Sequence, residues 1–192
     1  MKRADAPEAN APDAVHAAVP MEIRRARASD AEAIGRIYDE GIAGGIATFA
    51  HGVHDGPERA AWLAARSPRA PVWCGLIDQR VVAWSALAPF SHRPWYDGVG
   101  EYTVYVAPDQ GGRGIGRRML RRLIADAPAF DYWKLVGMIL QGNAAGLALA
   151  LGAGFRVVGT HVAHARHGDA WRDVTVVERH LTVRADQARE SR

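Results

Sequence analysis

The sequence predicts a mixed α/β fold in a single domain, and three features predict it. Short β-branched and aromatic runs alternate along the chain with segments of helical periodicity, which is the pattern of helices layered on a sheet. A chain of 192 residues with 48% hydrophobic content can bury one proper core but is short for two. Finally, Val104-Tyr105-Val106-Ala107-Pro108 empties through Gly111-Gly112-Arg113-Gly114-Ile115-Gly116 into a basic amphipathic helix, a strand-turn-helix junction with a mechanism of its own.

In chain order, residues 1–20 are rich in Ala, Pro, Asp and Glu and lack an apolar signal core, so they read as a disordered extension. Met21 opens the folded domain, 21–181, and 182–192 form a polar tail. Ile23 to Ala26 is a first strand; Ser29-Asp30-Ala31-Glu32 supplies a cap and an acidic first turn for a helix to about Gly41. Pro57 starts a second helix that carries Trp62 and Leu63 towards the core. Val72 to Ile77 and Val81 to Ala88 are strands joined by a tight turn at Asp78-Gln79-Arg80, and Gly100 to Val106 is a third. A helix from about Gly114 to Asp126, a strand from Lys134 to Ile139, and a helix from Asn143 to Leu151 ending at Gly152 or Gly154 come next. Strands near Phe155 to His161 and Asp173 to Leu181 close the domain.

Composition narrows the function. Net charge is only +3 and acidic residues are spread through the chain, which argues against the broad basic surface of a nucleic-acid binder. No apolar run reaches membrane-spanning length. The lone cysteine, Cys74, rules out an intramolecular disulfide, suits a reducing, cytoplasmic setting, and sits in a run that reads as a buried strand. His161, His164 and His167 are spaced by three, but they fall in a strand and hairpin without acidic or thiol partners in the same spacing, so no metal is expected.

The glycine junction is suited to phosphate. Glycine lets backbone N–H groups close on an anion, and the first turn of a helix adds unpaired donors and partial positive charge. Arg113, Arg117, Arg118, Arg121 and Arg122 crowd into that helix, either as a local positive field or as a solvated face. A nucleotide triphosphate loop needs Gly-Lys-Ser/Thr, whereas this turn continues Gly116-Arg117-Arg118. A dinucleotide fingerprint would need its third glycine where Arg117 or Met119 stands.

Arg113-Gly114-Ile115-Gly116 after a Val-Tyr-Val strand, followed by Asn143 and then Gly154-Phe155, resembles the acetyl-CoA core of the GNAT N-acetyltransferases. Arg93, Tyr96, Glu101 and Val104-Tyr105-Val106, with Gly168 and Trp171-Arg172-Asp173-Val174, resemble the phosphinothricin N-acetyltransferase branch. Within it, Ala47-Thr48-Phe49, Arg93, Trp171 to Val174 and Val177-Glu178-Arg179 are most similar to arsinothricin N-acetyltransferases. The resemblance covers about residues 21–181 and implies a GNAT-type, mostly antiparallel central sheet flanked by helices and splayed at the acetyl-CoA site. It also implies a cytoplasmic homodimer acting on a small amino acid, with no nucleic-acid or membrane partner.

Amide formation from a thioester needs a neutral amine, yet an aliphatic amine with a pKa of about 8 or higher is mostly protonated at neutral pH. Glu101 matches the branch's general base, acting directly or through a water. The N–H groups of Val104, Tyr105 and Val106 would hold the carbonyl oxygen as it gains charge, if the strand splays as in the family. Gly111, Gly112, Gly114, Ile115 and Gly116 would grip the pyrophosphate by their amides, and Arg113 and Arg117 by charge-assisted bonds. Asn143 would hold the pantetheine arm, cap the next helix, or both. Arg93, eight positions before Glu101, would pair with the oxygens of an acidic amino acid analogue, while Phe49 and Tyr96 either wall the pocket or pack in the core.

Two positions depart from the family. Gly111 stands where Arg or Gln is common, although Gln110 can substitute, and Ala150 stands where relatives carry a Tyr or His that protonates the leaving thiolate. No acid is needed if CoA leaves as the thiolate. The expected activity is therefore acetylation of the α-amino group of a glutamate analogue such as arsinothricin or phosphinothricin. The alternatives are acetylation of another small amine or a protein amine, or a non-catalytic acyl-CoA-binding module.

Overall fold

A computed structural model describes residues 20–45, 47–48, 52–167 and 169–181; the extension (apart from Pro20), the C-terminal tail and Phe49 lie outside these residues. The order is β1 (Glu22–Arg25), α1 (Ala31–Ala43), α2 (Gly56–Ala64), β2 (Val72–Ile77), β3 (Arg80–Pro89), β4 (Val99–Val106), α3 (Ile115–Asp126), β5 (Lys134–Leu140), α4 (Ala144–Gly152), β6 (Arg156–His167) and β7 (Ala170–His180). The strands make one seven-stranded sheet in the order β1-β2-β3-β4-β5-β7-β6. Only the β4/β5 pair is parallel, because α3 carries the chain back across the sheet between them.

Helices cover both faces, which explains why β2 reads as a continuous apolar run instead of an alternating one. On one face, α3 and α4 bury Met119, Leu120, Leu123 and Ala150 against Leu135 and Val177. On the other, Ile34 and Ile37 of α1 pack with Cys74, Leu76, Trp84 and Tyr105. Burial pushes the Cys74 thiol up to about 12, so this sulfur packs and does not attack.

Two local expectations change. Asp30 does not cap α1 through its side chain; its carboxylate takes the Arg27 N–H at 2.7 Å and the Arg24 guanidinium at 2.7 and 2.9 Å. A short 3-10 turn, Ala28–Asp30, therefore precedes the helix, and a buried ion pair pins it to β1. The last hairpin is also longer than the apolar runs suggest, because its outer half is exposed and carries no hydrophobic alternation to read. Asp173 accepts the Ala163 N–H at 2.8 Å and holds the bulge there, where Ala163 has a φ of 49°.

Candidate active site

The site begins where β4 and β5 part. Their pairing runs through Val99↔Lys134, Gly100↔Leu135 and Glu101↔Val136 and then stops, although β4 continues to Val106 and β5 to Leu140. A side chain fills the start of the wedge: a Cβ on Gly137 would stand 2.5 Å from Tyr102 Cε1 and 2.7 Å from its hydroxyl oxygen. Tyr102 thus lies over glycine, and any larger residue at 137 would displace the ring.

The other edge of β4 remains paired with β3 without a break in register. Ala107 N–H donates to Val82 O at 2.8 Å and Phe90 N–H to Val99 O at 3.0 Å, which fixes the phase of the ladder. By the alternation of an antiparallel pair, odd positions of β4 bond to β3, and the amides of Val104 and Val106 face the wedge. Tyr105 between them turns its amide to β3 and its ring to the α1 face, stacked on Trp84 at 4.9 Å.

Beyond Val106 a 3-10 turn, Pro108–Gln110, leads into the glycine junction. Gly112 and Gly114 both have a φ of +73°, a left-handed conformation that side chains resist. Gly114 is the N-cap of α3, and the Arg118 N–H to its carbonyl, at 3.2 Å, is the first bond of the helix. The amides of Ile115, Gly116 and Arg117 ahead of it have no intrahelical partner. Arg113 donates to Gln110 Oε1, so the side chain expected to stand in at Gly111 is engaged with the arginine beside it. Arg117 is exposed.

Glu101 lines a cavity of about 410 Å³ that runs beneath α1 and α2 into the wedge. Burial alone raises its carboxyl pKa above the ordinary value, as suits a base that must ionise and still hold a proton. Glu101, Thr103 and Tyr105 face the same side as their β3 partners Ala88, Ala86 and Trp84, all of which line this space. Asn143 lines its far end and caps α4, its Oδ1 accepting the Gly146 N–H at 2.8 Å. Ala150 is fully buried in the core, so the position offers no acid.

Arg93 and Tyr96 are not among the lining residues; Arg93 is exposed at the head of a 3-10 turn, Pro94–Tyr96, and Tyr96 is 40% exposed. The cavity instead contains Trp62, expected only as a core residue, and four residues that sequence reading passed over: Tyr38, Arg59, Arg66 and Trp84. Arg59 is the buried residue of α2, at 6% exposure, where the pattern pointed to Trp62 and Leu63. Helical spacing could not have revealed it, since a charged residue in such a window reads as the solvent face. Among the described residues no group of three or more His, Cys, Asp or Glu is arranged to hold a metal.

A sheet splayed beside a glycine turn, with wedge-facing amides and a half-buried carboxylate, fits an acyl-CoA-dependent amine acetyltransferase. The Acetyltransferase (GNAT) family model matches residues 33–155, and the chain belongs to that family. It is 31% identical over 170 residues to the L-amino acid N-acyltransferase MnaT of Escherichia coli, covering 86% of this chain and 97% of that one. It is 34% identical over 128 residues to a phosphinothricin N-acetyltransferase of Streptomyces coelicolor, covering 65% and 75%. The Salmonella typhimurium protein yncA, solved with its cofactor acetyl-CoA, superposes with a TM-score of 0.80 at 28% identity, covering 86% of this chain and 96% of that one. This protein is an acetyl-CoA-dependent N-acetyltransferase with the phosphinothricin type among its relatives.

Proposed function

We propose that the enzyme acetylates the α-amino group of a glutamate analogue of the arsinothricin or phosphinothricin kind, by direct transfer without an acyl-enzyme. The observation that carries this reading is Glu101, a carboxylate raised in pKa by burial, in a cavity that opens into the β4/β5 wedge. The amine enters from the α1 side and loses a proton to Glu101, directly or through one water. Its lone pair then attacks the thioester carbonyl carbon, and the oxygen gains charge opposite the Val104 and Val106 amides. The thiolate of CoA leaves as the carbonyl reforms, without an acid from position 150. Gly112 to Gly116 and Arg117 hold the pyrophosphate through amides, Arg113 adds charge, and Asn143 takes the pantetheine arm.

Arg93, Tyr96 and Phe49 are assigned to the tail of the amino acid. Asp97, at the end of the Arg93 loop, is held by Arg69 at 2.7 Å, which keeps that loop beside the entry to β4. The enzyme works as a cytoplasmic homodimer, a role suited to the exposed Val157, Val162 and Trp171 of the last hairpin.

The decisive experiment is a thiol-release screen of phosphinothricin, arsinothricin and methionine sulfoximine with glutamate as control. At least one analogue should outpace glutamate, and faster acetylation of simple uncharged amines than of any of them would refute the substrate assignment. Arg93→Ala should raise the KM for the preferred analogue about ten- to a hundredfold, the worth of a charge-assisted pair, and leave that for acetyl-CoA nearly unchanged.

A further inference from the structure

A charged side chain in the cavity has no counter-ion among the described residues. Arg59 is buried to 6% exposure, and among the described residues no carboxylate lies within ion-pair distance of it. Its Nε has no hydrogen-bond partner. Its guanidinium is flanked by two ring faces, 4.3 Å from the Tyr38 centroid and 5.2 Å from that of Trp62. Arginine cannot shed its proton to escape burial, so the charge persists. Ring quadrupoles offset part of the desolvation, but they leave the in-plane N–H donors unspent.

The neighbouring cation behaves differently. Arg66 also lines the cavity, yet its Nε donates to Ala70 O at 2.6 Å and its Nη2 to Leu87 O. Arg66 is a structural clasp, tied on two donors to backbone carbonyls of the loop before β2 and of β3. Glu101 does not neutralise Arg59 either, since the carboxyl pKa is raised by burial alone with no lowering by a nearby cation. Of the two lining arginines, Arg59 on the α2 wall is thus the one with no side-chain hydrogen bond or ion pair among the described residues.

We propose that Arg59 is a substrate-binding residue: its fork receives an anionic group of the amino acid, a carboxylate or a tetrahedral oxyanion, and so selects acidic amino acids over simple amines. This rests on the reading of the cavity as the acceptor pocket. A planar guanidinium clamped between aromatic faces is already immobilised, so little side-chain entropy is lost when an anion docks on its edge. Neutral amines, lacking the anion, would leave the donors unpaired in a desolvated site.

The test uses Arg59→Met, which keeps an unbranched stem between the rings, and Arg59→Lys, which keeps the charge without the fork. Initial rates of thiol release are measured with phosphinothricin, its α-carboxamide and methionine, which carry both anions, the tail anion only and the α-carboxylate only. Arg59→Met should raise the KM for phosphinothricin about ten- to a hundredfold with the acetyl-CoA KM unchanged, and Arg59→Lys should restore part of it. The single-anion substrate whose KM does not respond lacks the group that Arg59 holds. Equal KM increases for all three substrates and acetyl-CoA, or no increase in a folded variant, would overturn the proposal. If the wild type turns over none of these compounds, the substrate reading fails by itself. Calorimetric binding of phosphinothricin to the CoA-loaded protein then decides Arg59: binding weakened in Arg59→Met and partly restored in Arg59→Lys supports its role, and absent or unaltered binding overturns it.

Discussion

The turn between β4 and α3 presents backbone groups, whereas the cavity beneath α1 and α2 presents side chains. In the turn, glycines at φ +73° and the first amides of a helix offer backbone donors of the kind that suits an anion, all from one continuous stretch of about a dozen residues. In the cavity, Tyr38 comes from α1, Arg59 and Trp62 from α2, Trp84 from β3 and Glu101 from β4. The difference teaches how one scaffold can keep its cofactor and change its acceptor. Amides are insensitive to most substitutions, but each side chain of the cavity can be replaced alone.

The sharpest way to break this comparison is at Glu101, where a single side chain should control chemistry. Glu101→Gln is expected to lower kcat near neutral pH by about 10²- to 10⁴-fold, the usual worth of a positioned base. The loss should shrink as pH rises and the amine deprotonates unaided. In the wild type the carboxylate is protonated, and activity lost, as pH falls through a pKa that burial has raised, so the acid limb lies above the ordinary glutamate range. A pH profile of kcat/KM checks both; full activity of the variant near neutral pH would remove Glu101 as base.

A smaller effect is expected at the turn. Gly114→Val forces a β-branched residue into the left-handed region at a cost of about 1–3 kcal/mol, although no neighbour lies within 4 Å of a Cβ there. Acetyl-CoA KM should rise about tenfold while the amino acid KM stays close to wild type, as bisubstrate initial-rate analysis would reveal. A rise in both would mean that the two halves of the cleft are coupled more tightly than their construction implies. The smallest effect belongs to Asn143→Ala. Loss of the cap to Gly146 should cost about 1 kcal/mol of stability, a drop of about 2–4 °C in Tm by calorimetry.

The fold and the glycine junction before α3 were legible because their causes are local. The central apolar strands, Pro57 in the first turn of α2, and the glycine junction before α3 all act within a few residues, and the structure has each where the chain announces it; Asp55, which caps α2, was missed. Asp30 failed as a cap for a long-range reason: Arg24, six residues earlier on β1, competes for its carboxylate. Arg93 and Tyr96 carry the family pattern but stand outside the cavity lining, since sequence distance to Glu101 says nothing about the path of the loop between them.

By itself, the sequence determined an α/β chain with a glycine turn between a strand and a basic helix, and a candidate base on that strand. Only the tertiary structure decided where β4 leaves β5, because the split depends on Tyr102 packing over Gly137 across the sheet. It alone decided that the buried face of α2 carries a cation. Arg59 is polar by composition and becomes interior only when Tyr38 and Trp62 close on it, and burial is a property of the assembled surfaces, not of any residue in the chain.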